Sequence, residues 1–195
     1  MRKYNKFLWI MVGVLVVVMI VQFVLTTNRK PPYQQLSYQA EYVFSYATPV
    51  VINDSVKLYY ANSSDLQKAI DEFNKLSPQD KFKSYQQMFQ NLSNSTKLSF
   101  IPISYDSTAT IINPNTLQFN EHSVVDGIVT AKGSEYVVSM GKVGMKLDSG
   151  SVVTLKFPDG SKIISVSPTP TTFNNSMLTW NGPMDLSFPE VVYTK

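Results

Sequence analysis

The stretch "SYQAEYVFSY", Ser37 to Tyr46, decides the fold. Tyr38, Ala40, Tyr42, Phe44 and Tyr46 alternate with Ser37, Gln39, Glu41, Val43 and Ser45. Side chains on a strand point to opposite faces at every step, so this period of two predicts a strand with one buried face. The buried face is aromatic. Aromatic side chains on one strand face pack against cross-strand neighbours, which predicts a β core. The competing use of the same rings is a sugar-stacking platform. Eleven Tyr, eleven Phe and two Trp make that alternative worth testing.

Outward from this strand, "VVINDSVKLYY" offers two short β-prone runs with Asn53-Asp54 as turn residues between them. The period then changes to helical. Leu66, Ala69, Ile70, Phe73 and Leu76 fall on one helix face, with Ser63 or Ser64 as the N-cap. A second helix starts at "SPQD", where Ser77 caps, Pro78 suits the first turn and Asp80 meets the positive helix end. Phe82, Tyr85, Phe89 and Leu92 form its apolar stripe. The expected helical insertion covers about 63–93.

From Lys97 onward the signals are strand and turn. Pro102 in "KLSFIPISY" predicts an edge strand or a bulge. "NEHS", Asn120 to Ser123, reads as a loop before a strand. "GSVVTLKFPDGSKIISVSP" reads as a hairpin about Pro158-Asp159-Gly160. "PTPTTFNN" reads as a loop, "SMLTW" as a strand and "LSFPEVVYT" as a final strand. The pattern predicts an α+β class, an N-terminal transmembrane helix followed by a mainly antiparallel β-sandwich with an inserted pair of short helices.

The transmembrane expectation rests on "FLWIMVGVLVVVMIVQFVL", Phe7 to Leu25, where Gln22 is the one polar residue. As a helix it spans about 28 Å, close to a hydrocarbon core of about 30 Å. Its Val and Ile residues do not argue for a strand there, because in lipid the backbone must bond within the segment. The run exceeds the usual apolar length of a cleaved signal peptide, and "TTNRKPP" has no small-x-small site. Residues 1–30 are therefore expected to be tail, signal anchor and flank, 31–36 a linker, and 37–195 an extracytoplasmic β-rich domain. Arg2, Lys3 and Lys6 against Arg29 and Lys30 place the N-terminus in the cytoplasm. The sequons at Asn53, Asn62, Asn91, Asn94 and Asn174 agree with export.

Charge narrows the partners. The chain of 195 residues carries a formal +3. Its 17 basic residues less the five flanking the apolar run leave 12 against 14 acidic ones, a formal −2 from Pro31 onward. No basic stripe remains to follow a phosphate backbone, so nucleic acid is not an expected partner. The absence of cysteine excludes disulfides, thiolate metal sites and a cysteine nucleophile.

Catalytic motifs are not in view. His122 is the sole histidine, which excludes a multi-histidine zinc site, and no G-x-S-x-G elbow accompanies it. "GKVGMK", Gly141 to Lys146, lacks phosphate-loop spacing and reads as a strand connection. Glu41 has no acidic neighbour in sequence, although a carboxylate pair assembled by folding stays open. No catalytic, cofactor or metal residue is assigned. Trp180, in "LTWNGP", reads as a core plug at a corner, its indole N–H finding a polar partner.

"LKFPDGSKIISVSPTPTTFNNSMLTWNGP", Leu155 to Pro183, continuing to "FPEVVY", resembles the end of β-sandwich domains in single-span archaeal and bacterial membrane proteins of uncharacterised function. "YQAEYVFSYATPVVIND" resembles their first strands. The resemblance implies an extracytoplasmic sandwich and carries no catalytic residue with it. The expected role is a non-enzymatic envelope interaction or scaffold protein, held in the bilayer through Phe7 to Leu25. Two alternatives stand beside it: a binding domain for a glycan or envelope polymer, and an enzyme whose site forms only in the fold.

Overall fold

The computed structural model describes residues 32–195 except residue 175. The expected membrane span, Phe7 to Leu25, lies outside the described residues. Among the described residues no helix is long and apolar enough to cross a membrane.

Among the described residues thirteen strands and two helices follow in order: β1 (Tyr33–Val43), β2 (Val50–Tyr60), α1 (Ser63–Lys75), α2 (Pro78–Thr96), β3 (Ile101–Asn113), β4 (Thr116–Asp126), β5 (Val129–Lys132), β6 (Glu135–Val138), β7 (Gly144–Leu147), β8 (Val152–Lys156), β9 (Lys162–Ser167), β10 (Thr172–Asn174), β11 (Met177–Asn181), β12 (Met184–Ser187) and β13 (Glu190–Thr194). The α+β class and the inserted helix pair stand. Strand pairing divides the chain into three sheets: β10-β11-β8-β1-β2-β4-β3, β5-β6-β13-β9 and β12-β7. Every pairing is antiparallel except that of β1 with β8.

β1 is the middle of the large sheet, and its alternation sets which face is inside. Tyr38, Tyr42 and Phe44 are each 3% exposed, while Gln39 is exposed and Glu41 half-buried. The aromatic face is core, and Tyr46 is half-buried at its end. The helices lie over β2, β4 and β3, with Phe73 edge-on to Phe119 at 5.3 Å and Tyr85 stacked on Tyr105 at 4.3 Å. Around β1 and β8, Tyr42 packs edge-on to Phe188, and Phe44 and Phe157 meet Tyr193 of β13. Leu66, Ala69 and Phe73 of α1 and Tyr85, Phe89 and Leu92 of α2 are the buried helical residues, on the stripes that the period gave.

Several local expectations give way. Asn62, not Ser63 or Ser64, caps α1, its Oδ1 accepting from the Ser64 N–H at 3.1 Å. Ser77 caps α2 as expected, but that helix runs on to Thr96. Asn53-Asp54 is no turn: both residues sit inside the continuous strand β2. "NEHS" is likewise inside β4. Pro158-Asp159-Gly160 does turn, with Ser161 N–H bonding Pro158 C=O at 3.1 Å. Yet β8 and β9 then enter different sheets, so no hairpin forms. The expected last strand is two, β12 and β13, and β10 lies in the expected loop. Strand pairing begins at Tyr33, inside the expected linker. Pro102 does mark an edge strand, with a register shift between Pro102 and Ser104.

Trp180 is fully buried. Beside it, a Cβ on Gly182 would stand 2.1 Å from Asp148 O, so only glycine fits. One expectation fails: the buried indole Nε1 has no partner among the described residues. Trp180→Ala is expected to cost about 3–5 kcal/mol by leaving a core cavity. Denaturant unfolding of the purified variant measures it, and an unchanged midpoint would contradict the core placement.

Candidate functional site

Register carries the sheet's two faces into two different chemistries. On the inner face one row runs Trp180, Val153, Ala40, Asp54, Glu121, Ser107 from β11 to β3. The next runs Leu178, Leu155, Tyr42, Ile52, Ser123, Tyr105. Asp54 and Glu121 are therefore direct cross-strand neighbours beneath the helices. Like charges in that position repel, and a low-dielectric setting disfavours ionising either one.

The surroundings are hydroxyl-rich. Tyr105 Oη donates to Glu121 Oε1. Tyr85 Oη and Ser123 Oγ are 2.7 Å apart. Burial pushes the Asp54 carboxyl up to about 7, with the Tyr38 hydroxyl partly offsetting this as a hydrogen-bond partner. Burial also raises Glu121 well above the usual carboxylate range. The Tyr105 hydrogen bond and Lys81 oppose that rise, and Asp54 adds to it. The tyrosines Tyr38, Tyr42 and Tyr85 are all raised by burial and stay neutral. Three buried polar atoms without a partner, Asp54 Oδ1, Ser107 Oγ and Trp180 Nε1, fall on the single row that holds the acid pair.

These are converging carboxylates of the kind an enzyme reading requires. The local sequence hides them, because turn propensity points to a turn at Asp54 and a loop at Glu121, whereas both lie inside strands. The signal was present in the strand parity: Asp54 shares the parity of the buried Ile52 and Val56. Among the described residues no group of three or more His, Asp or Glu side chains is placed to hold a metal ion.

The outer face of the same sheet is bare and polar. Its central row is Thr179, Thr154, Glu41, Asn53, His122, Asp106, and the next is Asn181, Val152, Gln39, Ser55, Asn120, Thr108. His122 is exposed here rather than in a loop. Its Nδ1 lies 2.8 Å from Asn53 Oδ1, which accepts from the Nδ1–H tautomer. Asn53 Nδ2 in turn donates to Glu41 Oε1 at 3.5 Å. Gln118 donates to Ser55 Oγ at 3.1 Å and to Asn120 Oδ1 at 2.8 Å. A shallow recess of about 530 Å³ opens on this face. Gln39, Glu41, Asn53, Ser55, Asn120, Val152 and Thr154 line it, together with Ala40, Asp54 and Glu121. The acid pair's side chains point the other way, under the helices.

Of the sequons, Asn53 is half-buried in this network, Asn62 caps α1, and Asn91, Asn94 and Asn174 are exposed. "GKVGMK" leads into β7, which pairs with β12 as a strand connection.

Residues 33–194 match a family described as a domain of unknown function, DUF4897. The chain belongs to that family. No curated protein matches the sequence. Among solved structures, this DUF4897 chain is similar to the folded domain of Mycobacterium tuberculosis LppM, at 9% identity and a TM-score of 0.42, covering 87% of this chain and 94% of that one. It is also similar to a putative protease from Parabacteroides distasonis, at 10% identity and a TM-score of 0.32, covering 84% of this chain and 40% of that one. The matched DUF4897 region takes in both faces of the large sheet and stops short of the apolar run.

The acid pair gives a pH prediction. Asp54 holds a proton in the folded state up to about pH 7, against a reference of 3.8. The folded state therefore binds more protons between those values. The favourable contribution is complete below the reference and is lost as pH rises through 7. Asp54→Asn removes the ionisation, so it is expected to stabilise the protein at pH 8 by on the order of 2 kcal/mol and to lose that advantage at pH 4. Thermal melting at the two pH values checks this. An equal effect at both would contradict the buried pair.

Proposed function

We propose that this protein is a non-enzymatic, membrane-anchored envelope protein that uses the bare face of its large sheet to bind. The observation that carries the reading is the asymmetry of that sheet. One face is covered by helices and smaller sheets. The other presents two rows of amide, hydroxyl and carboxylate side chains around a recess. A lone His–Asn–Glu chain on an open face orients a ring for hydrogen bonding, and its Nδ1 partner is an amide oxygen rather than a carboxylate.

The anchor reading is supported by the apolar run Phe7 to Leu25 and its basic flanks. The flanking charges support a cytoplasmic N-terminus and an extracytoplasmic domain. The sandwich reading of that domain is supported on one half only, where Tyr193 of the four-stranded sheet meets Phe44 and Phe157 of the large one. Nucleic acid is not proposed as a partner.

A second reading, glycan or envelope-polymer binding, draws on a separate recess of about 330 Å³ lined by Gly133, Ser134, Tyr136, Thr194 and Lys195. The Tyr136 ring stacks on Tyr193 at 5.2 Å, which holds it as a platform. The bare sheet face has no aromatic wall of this kind, so the two surfaces are distinguishable.

A photo-cross-linking side chain in place of Asn120, in intact cells, is expected to join the protein to a discrete envelope component. The same side chain in place of the exposed Gln86 on α2 is expected not to. Protease added outside those cells is expected to digest the chain from Pro32 onward. Equal cross-linking at both positions, or protection from the protease, would contradict the reading.

A further inference from the structure

We infer that one end of the large sheet, built around Leu36, Tyr59, Ile111 and Ile112, rests in the headgroup layer of the bilayer that holds the anchor. The inference rests on the anchor reading of Phe7 to Leu25. Register brings the four residues to one end. Gln34 of β1, Tyr59 of β2, Thr116 of β4 and Asn113 of β3 form one row across four strands. β1 starts beside this row and β2 ends there, while Pro114 and Asn115 join β3 to β4 beyond it. The join is tied down. Asn115 Nδ2 donates to the Tyr60 carbonyl at 2.8 Å, and the Tyr60 N–H donates to the Asn115 carbonyl at 2.8 Å. The Tyr60 ring packs on Tyr33 at 5.8 Å. The β3–β4 tip, the end of β2 and the start of β1 are therefore one unit.

That unit presents an apolar, uncharged surface. Leu36, Tyr59, Ile111 and Ile112 are 43%, 39%, 41% and 45% exposed. Leu36 and Ile112 each sit at a register shift, where the extra residue leaves the ladder and its side chain is re-aimed. The three converging segments, residues 33–37, 59–64 and 111–117, hold eighteen residues and no Asp, Glu, Lys or Arg. At the chain's 16% charged content about three would be expected. Charges are costly near hydrocarbon, and tyrosine is enriched where lipid meets water. The acid beside this surface, Asp65 in the first turn of α1, is paired with Lys68 at 3.6 Å.

Chain connection selects the lipid surface as the occupant. Exposure alone does not, because Ile101 and Ile103 at the other end of β3 are 57% and 52% exposed. Those two lie among charges: Ile101 pairs with Asp126, and Lys97 precedes the strand. Ile103 is also about 26 Å from Ile111 along the strand, at roughly 3.3 Å per residue. Six residues separate Leu25 from Pro32. Fully extended, they hold Pro32 within about 25 Å of the end of the apolar run. Tyr33 follows directly, so the anchor tethers the uncharged end of the sheet. Arg29 and Lys30, in the connecting sequence, add attraction to anionic headgroups. Seated this way, the strands rise from the membrane. The recess at Asn120, four residues along β4 from Thr116, stands about 13 Å above the seated end.

The chain has no cysteine, so a single environment-sensitive fluorophore can report each end of β3 in the full-length protein. The protein is reconstituted in vesicles of phosphatidylcholine and phosphatidylglycerol, four to one, with and without a lipid carrying a nitroxide on its headgroup. The fluorophore at Ile112→Cys is expected to be quenched by the nitroxide lipid about fivefold more than at Ile103→Cys, and to emit at shorter wavelength. Leu36→Cys is expected to match Ile112→Cys, which keeps the test decisive if either variant folds poorly. Equal quenching at the two ends of β3 would overturn the inference. So would a blue-shifted but unquenched fluorophore at Ile112→Cys, because protein rather than lipid would then cover that end. Flotation of the vesicles separates the two readings. Chains that float with Ile112→Cys unquenched would overturn the seating and leave the anchor standing. Chains that do not float would remove the anchor and the seating with it.

Discussion

The structure depends on the burial of one face of β1. Tyr38, Ala40 and Tyr42 point inward, and β1 pairs antiparallel with β2 on one side and parallel with β8 on the other. This central position fixes the parity of the whole seven-stranded sheet. A slip of one residue would turn Glu41 and Gln39 into the core and the tyrosines out to water. Because the parity is fixed, the inner face takes the helices and the smaller sheets. The outer face is left with the side chains that alternate against them.

The same constraint explains the acid pair. Once the parity of β2 and β4 is set by Ile52, Val56, Phe119 and Val125, Asp54 and Glu121 have to point inward. They are held neutral by burial, against the hydrogen bonds of the Tyr38 and Tyr105 hydroxyls, which favour the charged forms. Lys81, whose ammonium lies 3.5 Å over the Phe73 ring, stands near enough to lower Glu121 but not to neutralise the pair. The row carrying the pair also carries Trp180 and Ser107, whose polar atoms lack partners. Ala40 lies on that row between Trp180 and Asp54. The polar cluster is a cost to stability that the aromatic burial around it offsets.

Much of this was legible in the sequence, and the failures share a cause. Period two in Ser37 to Tyr46 and period 3.6 in Leu66 to Leu92 both reported burial, and burial decided those elements. At Asn53-Asp54 and "NEHS" the local signal is turn propensity. Both sit in long strands, because pairing of β2 with neighbours on each side outweighs the local preference of two polar residues. Pro158-Asp159-Gly160 turns as its residues require, but a turn does not say which sheet the next strand joins. The candidate surfaces were hidden for the same reason. The Glu41–Asn53–His122 chain and the Asp54–Glu121 pair both depend on cross-strand register, and register is a long-range property.

The central claim is that the large sheet has one covered face and one bare face, and that β2 and β4 pass through both Asp54 and Glu121 without a turn. Alkylation of single cysteines in the folded, cysteine-free chain tests it most directly. The account predicts that Ser55→Cys on the bare face reacts with a maleimide within a few-fold of its unfolded rate. It predicts that Ser123→Cys, one strand away beneath Tyr85, is protected at least a hundredfold until the protein unfolds. Comparable rates at the two positions would contradict the face assignment and, with it, the proposed binding face.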